Sequence, residues 1–428
     1  MKLLEQRAPR RAILVVLVSI FACLLCANLI LIARTLSPYG LCRRDLHQDY
    51  LQALAVRDGV DPFLNLDELA RKYSPECDNR FFPHPSPHTL AQLMLSLPLS
   101  HLGGWWFAVV WMGGALGALA FVFVRLRSVF PLLREKWRAP LLFTAAFLSQ
   151  PVSDDLRLGQ IALIILALLA EALFRLHRGQ GVVAGMFIGL AVVLKPIGWF
   201  LIPVLLLRRH ISGLAAALTV GVAHIVYVSY WGFEVVVRYY TEVSKGAIEE
   251  WSGQLGNISI SGVAERIIRG GAVKVIVGEP LPEGSLDLFP VFAIVAVSLV
   301  LATYRAVRAP DVFQAFMRAL VFSPFFLPIT WDHYLSVYIL VLLWMLDRAR
   351  GAGRRLTGEM VALLAVAFVL LSGVYGYLID LVVALDYRDD RVVASAQAIL
   401  VLLVVSVLGG FGDRGLLPRV QSRGLKGS

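Results

Sequence analysis

"AILVVLVSIFACLLCANLILIA", Ala12 to Ala33, decides what kind of fold this chain can adopt. It carries no charged residue and exceeds the ~20 residues an α-helix needs to cross the hydrocarbon core of a bilayer. No small-residue cleavage site closes it, so it reads as an uncleaved first span and not as a signal peptide. Comparable runs recur toward the C-terminus. Over 428 residues the chain is 58% hydrophobic and only 16% charged, where soluble domains carry about a quarter charged.

Backbone polar groups in lipid must be satisfied within a helix or a closed barrel, and apolar runs without strict alternation indicate helices. The expected fold is therefore an all-α polytopic membrane protein. Candidate spans are 12–34, 104–124, 140–153, 157–174, 181–194, 197–207, 212–231, 287–304, 317–330, 334–346, 357–379 and 392–411, about twelve in all, several too short to cross alone. Basic residues favour the side that holds both termini, most clearly in "RLRSVFPLLREKWR" (125–138) and "DRARGAGRR" (347–355). The opposite face is acidic, which orients the chain with its termini inside.

The net charge of +10 then sits against anionic inner-leaflet lipid and calls for no nucleic acid. The expected organisation is one integral membrane domain over 1–428, with outer loops 35–103 and 232–286 and a basic cytoplasmic tail at 412–428. Cys42 and Cys77 bracket the first outer loop, a placement that permits a disulfide in an oxidising compartment. There is no phosphate-binding glycine loop, no serine-hydrolase elbow and no metal-type Cys/His spacing, so neither cofactor nor metal is expected.

Where charge does gather, it gathers outside. "RRDLHQDYLQALAVRDGVDPF" (Arg43–Phe63) sets Asp45, Asp49, Asp58 and Asp61 beside three arginines directly after the first span. Leu46, Tyr50 and Leu54 recur at four-residue spacing, which predicts an amphipathic helix lying on the outer membrane surface. Asp45 and Asp49 then share one face. Spacing alone admits two readings of them, a general base with a neighbour that perturbs it, or a pair of solvated surface acids. "RFFPHPSPHTLAQLMLSLPLSHLGG" (80–104) follows, with prolines and then a short apolar stretch that predicts a second surface or re-entrant helix. Its His84 and His88 are candidates for contact with a phosphate or a sugar.

Two further interruptions stand out. Lys195 and Pro196 break "GMFIGLAVVLKPIGWFLIPVLLLRR" (185–209) at its middle. A lysine there needs water, an acid such as Asp154 or Asp155, or a ligand as partner. In "SPFFLPITWDHYLSVYILVLLWML" (323–346), Asp332 and His333 lie at an outer boundary, either as an anion-stabilising imidazole with its orienting carboxylate or as an interfacial cap beside Trp331 and Tyr334. Asn257 opens an Asn-Ile-Ser sequon in the second outer loop, which is not read as chemistry.

In order along the chain, "HQDYLQALAVRDGVDPF", "RFFPHP", "LRLGQIALIILALL", "GLAVVLKP", "GNISISG" and "SPFFLPITWDHYL" resemble the motifs of glycosyltransferase family 87. These are lipid-phosphosugar-dependent glycosyltransferases of the GT-C class that serve envelope lipoglycan biosynthesis. Departures are His84 between the family's paired prolines, Ile258 in place of a frequent Gln, and Tyr334 where a second His is common. The resemblance implies a GT-C fold and transfer of mannose from a polyprenyl-phosphate donor to a glycolipid or polysaccharide acceptor on the periplasmic or exterior face. The family also contains arabinofuranosyltransferases, which leaves the pentose donor as the alternative. By resemblance Asp49 occupies the position of the catalytic aspartate, and Lys195, His333 and Arg44 would support the departing phosphate. Asp45, His84, Asn257 and Asp332 are the remaining expected substrate contacts. A transporter would instead place its ionisable residues near the bilayer midplane in inverted halves, whereas these concentrate on one face.

Overall fold

The computed structural model describes residues 25–42, 44–77, 84–230, 232–252, 254, 257–269 and 289–351, together with Ser19, Ala22 and Cys23. The expected spans 357–379 and 392–411, the tail 412–428, much of the first span and part of the loop 232–286 lie outside them. Among the described residues every regular element is helical.

Two helices, Gly104–Leu126 and Ile211–Ser229, are both long and apolar enough to cross a bilayer. Each leaves large apolar side chains exposed, Trp106 at 58% and Val124 at 69% on the first, Val222 at 63% and Val226 at 66% on the second. Exposed apolar side chains of this extent mark faces that meet a membrane or another apolar surface. The other apolar runs are shorter helices broken where the sequence dictates. The expected 140–153 run divides into Arg138–Phe147 and Gln150–Leu158, with Pro151 in the first turn of the second piece. Helix Gly181–Leu194 stops at Lys195, whose successor Pro196 cannot continue the ladder, and a short 3-10 turn Pro196–Gly198 leads into Leu201–Leu207. Helix Val312–Phe322 likewise gives way to a 3-10 turn at Ser323–Phe326.

Helix Gly181–Leu194 lies against Ile211–Ser229 at backbone distance, since a Cβ on Gly185 would come within 2.0 Å of the Gly213 carbonyl oxygen. Small residues at such a crossing allow the close van der Waals contact that holds helices together in lipid.

The loop 35–103 departs from its expected form. The predicted helix is present as Asp45–Arg57, but it is not a surface helix: Leu46, Asp49, Leu51, Gln52 and Ala53 are all buried. Helix Leu66–Tyr73 covers Leu51 and Ala55 through Leu69 and Ala70. Helix Leu90–Ser96 covers Ala53 through Leu90 and Leu93. This second helix is also a packed element, with Leu90, Ala91, Gln92 and Leu93 buried. Cys42 and Cys77 form a disulfide with a Cα–Cα distance of 5.2 Å, closing the loop around both early helices. The carboxylates of the loop consequently part company. Asp49 is wholly buried, whereas Asp58 pairs with Arg57 near the surface at 3.3 Å and Asp61 pairs with Arg238.

Candidate active site

Three breaks in helical structure meet at one place. The first is Gly159, which ends helix Gln150–Leu158 with φ of 71°. A Cβ on it would stand 2.3 Å from the Leu46 Cβ. Glycine is therefore required twice over, for the left-handed backbone and for the close approach to helix Asp45–Arg57. That approach places Gln160 against Asp45, and the Gln160 amide nitrogen donates to Asp45 Oδ2.

The second break is the Lys195 turn. Lys195 Nζ donates to Gln160 Oε1 at 2.7 Å and lies 4.2 Å from the centre of the Tyr334 ring. The third is the chain before helix Leu90–Ser96. Its N-cap Thr89 accepts from Gln92 N at 3.2 Å and donates to the Leu194 carbonyl at 2.6 Å, tying the loop 35–103 to the Lys195 turn. Ser323 adds a further tie by donating to the Ile197 carbonyl.

Between these elements lies a cleft of about 410 Å³. Asp45, Gln48, His84, His88, Gln92, Gln160 and Lys195 line its polar wall, and Tyr239, Trp251, Trp331 and Tyr334 its aromatic wall. Directly behind the polar wall sits Asp49. Its Oδ1 accepts from His88 Nδ1 at 2.6 Å and its Oδ2 from the Gln92 amide at 2.7 Å. Burial alone would draw the His88 imidazole downward. The charge and hydrogen bond of Asp49 outweigh it, so His88 sits above its ordinary 6.5. His47, on the same helix but facing the disulfide, is lowered by burial to about 4.

A cleft that joins a carboxylate, a buried lysine and aromatic side chains suits a ligand with an anionic group and a polyhydroxylated ring. The family model of glycosyltransferase family 87 matches residues 89–330, more than half of the chain. The chain belongs to glycosyltransferase family 87. It is accordingly a membrane glycosyltransferase, with a sugar donor and an acceptor as its substrates. No curated protein and no solved structure matches the chain.

In this family 87 enzyme the residues singled out from sequence fall into distinct positions. Asp45, His84 and Lys195 line the cleft. Asp49 does not, being enclosed by His88 and Gln92. His84 donates Nδ1 to the Pro85 carbonyl at 2.9 Å and stacks edge-on to Trp251. His333 lies behind the aromatic wall, its ring 4.7 Å from that of Tyr334, with Nε2 buried and unbonded. The backbone of Asp332 opens the 3-10 segment Asp332–Val337. Arg44 is the backbone N-cap of helix Asp45–Arg57 and stands outside the cleft lining.

Asn257 is fully committed to backbone. It donates to the carbonyls of Ser252 and Pro328 at 2.8 and 2.9 Å and accepts from Ser259 N and Thr330 N at 3.0 and 2.8 Å. It thereby joins the loop 232–286 to the segment before Trp331, and its burial withdraws the sequon from the surface. Of the partners the sequence left open for Lys195, the hydrogen bond found is to neither Asp154 nor Asp155 but to Gln160. Asp155 instead accepts from the backbone N–H groups of Ala162 and Leu163 at the start of the next helix, and Asp154 pairs with Arg157. Among the described residues no group of His, Cys, Asp and Glu is arranged to hold a metal ion.

Gln160 and Gln92, with Gln48, Tyr239 and Trp251 of the lining, are among the site residues that sequence reading did not single out. Gln160 left a trace as a lone polar residue at the head of an apolar run, whereas Gln92 lies in a short apolar helix whose partners only the fold reveals.

Proposed function

We propose that the enzyme transfers mannose from a polyprenyl-phosphate donor to a glycolipid or polysaccharide acceptor of the cell envelope, inverting a β-linked donor to an α-glycoside. The observation that carries this reading is the single cleft in which Gln160 bridges Asp45 to Lys195 while Asp49 stands behind His88 on the adjoining wall. Transfer from a lipid phosphate requires an acceptor for the hydroxyl proton on one side of the anomeric carbon. On the other side it requires positive charge and hydrogen bonding for the departing phosphate. Asp49 is the carboxylate that the family pattern assigns to the first task, and Lys195 the cation it assigns to the second. Arg44 and His333, outside the cleft lining, would reach the phosphate by a local rearrangement.

The GT-C fold, with about twelve membrane spans, gives this cleft its setting. The acidic loops 35–103 and 232–286 face the exterior and the tail 412–428 faces the cytoplasm. The Cys42–Cys77 disulfide supports the exterior placement, because such bonds persist in oxidising compartments. No nucleotide sugar is needed, since the activated sugar arrives already attached to its lipid.

Membranes containing the full-length protein, supplied with radiolabelled polyprenyl-phosphate mannose or polyprenyl-phosphate arabinose, test the reading. Label should pass from the mannosyl lipid into a glycolipid or polysaccharide fraction and be absent when the protein is absent. Label from the arabinosyl lipid alone would assign the pentose, and label from neither lipid but from a nucleotide sugar would overturn the proposal.

A further inference from the structure

We propose that a second cavity beside the cleft seats the acceptor sugar adjoining the one that receives the new residue, so that the enzyme lengthens a glycan of at least two rings and does not begin one. The inference rests on the transferase reading above. The cavity has a volume of about 210 Å³, about half that of the cleft. One helical rod stands between the two spaces. Helix Phe233–Arg238 runs into a π turn at Tyr239–Val243 and on into helix Ser244–Trp251. Tyr239 and Ser244, five residues apart across the wider turn, line the cleft. Arg238, Glu242, Gly246 and Glu250, at four-residue spacing, line the second cavity. The rod is tied to the loop 35–103, because Arg238 pairs with Asp61 and Tyr239 donates to the Pro87 carbonyl at 3.1 Å. Glu250, Trp251 and His84 belong to both linings, so the two spaces meet where the Trp251 and His84 rings stand edge to face, 5.3 Å apart.

The chemistry of this second lining selects an uncharged ring. Its two acids outnumber its one arginine, and Arg238 is already engaged by Asp61 and Glu242, so a phosphate finds no cation there. A carboxylate accepts from sugar hydroxyls, and an indole offers an apolar face to the C–H side of a sugar ring. Glu250 is available for this. Its helical neighbours Glu242 and Glu249 pair with Arg238 at 3.3 Å and Lys245 at 3.6 Å, whereas among the described residues Glu250 has no ion pair or hydrogen bond. Gly246 carries the argument further. Glycine weakens a helix interior relative to alanine, yet the backbone here is helical and an added Cβ would meet no atom within 4 Å. Neither a turn nor close packing accounts for the glycine. What a side chain at this position would occupy is the cavity itself.

Full-length protein in lipid nanodiscs tests the proposal, with farnesyl-phosphate mannose or farnesyl-phosphate arabinose as donor, whichever the wild type uses. The acceptor probes are octyl glycosides of the same sugar, carrying either one ring or two α-linked rings. The readout is the ratio of acceptor kcat/KM for two rings to that for one. In the wild type this ratio should be about 10- to 150-fold, the weight of a hydrogen bond to a charged group. Gly246→Leu should bring it close to one while melting no lower than the wild type, because leucine is the better helix former. Glu250→Gln should lower it as well, through acceptor KM. A wild-type ratio of one, a ratio that Gly246→Leu leaves unchanged, or transfer to native membrane glycan with no use of the two-ring probe would overturn the proposal and leave the transferase reading standing. Should Gly246→Leu transfer nothing, the ratio in Glu250→Gln decides by the same criterion. If the wild type transfers from neither lipid-phosphate sugar, the underlying reading falls and the second subsite with it.

Discussion

Lys195 donates its ammonium group to Gln160 Oε1 at 2.7 Å, and this contact fixes which way the amide faces. An ammonium can only donate and a carboxylate can only accept, so the amide nitrogen must turn to Asp45. The arrangement keeps the lysine and the carboxylate apart as separate charges, where a direct ion pair would neutralise both.

The bridge predicts that Gln160→Glu is more harmful than its small change of shape suggests. The new carboxylate would pair with Lys195 and repel Asp45. Loss of a hydrogen bond to a charged group costs roughly 1.5–3 kcal/mol, so donor-dependent kcat/KM should fall by about 10- to 150-fold. Equal activity of wild type and Gln160→Glu would remove the bridge from the mechanism.

Gly159→Ala is expected to be destabilising. Its φ of 71° is unfavourable for a side chain, and the added Cβ meets the Leu46 Cβ at 2.3 Å. Overpacking of this kind costs about 1–3 kcal/mol, and melting of the detergent-purified protein should reveal it. Leu46→Ala should not rescue the variant, since alanine keeps the clashing carbon.

Removal of the disulfide should loosen the segment between Cys42 and Cys77. The bridged cysteines lie 35 residues apart, and closing a loop of that size contributes about 2–4 kcal/mol through the unfolded chain. Cys42→Ser/Cys77→Ser should melt at a lower temperature than wild type and be insensitive to reductant, while wild type treated with reductant should approach the variant. A wild-type melting temperature unmoved by reductant, with both thiols shown to be free, would contradict the bond.

The Asp49–His88 contact should also make stability depend on pH. The folded imidazole has a pKa above its ordinary 6.5 because the Asp49 charge outweighs burial. The contribution is complete below pH 6.5 and is lost as pH rises through the folded value. The gap in melting temperature between wild type and His88→Gln should therefore be widest in mild acid and narrow with rising pH. A gap that widens toward alkaline pH would show that the sign is wrong.

Some of the site was legible in one dimension. Lys195 is conspicuous because a charge in the middle of an apolar run is costly without a partner, and the structure does place it on the cleft. The break at Pro196 follows from the missing backbone donor. The partner of Lys195 was not legible. A nearby acid is the usual expectation, but Asp155 is occupied with backbone N–H groups and a neutral amide takes its place. Helix Asp45–Arg57 misled in a different way. Its four-residue apolar spacing reads as one wet and one oily face, yet other elements cover it on several sides.

The sequence by itself determined that this chain is helical, that its apolar runs need an apolar surrounding, and that the run around Lys195 and Pro196 must break. These follow from local chemistry: composition, span length, proline and glycine. Tertiary structure alone decided that Asp49 lies behind His88 and that Gln160 joins Asp45 to Lys195. Both depend on contacts across 39, 115 and 35 residues of sequence. Such contacts depend on how separate helices pack, and the close approach at Gly159 supplies the packing that brings Gln160 to Asp45.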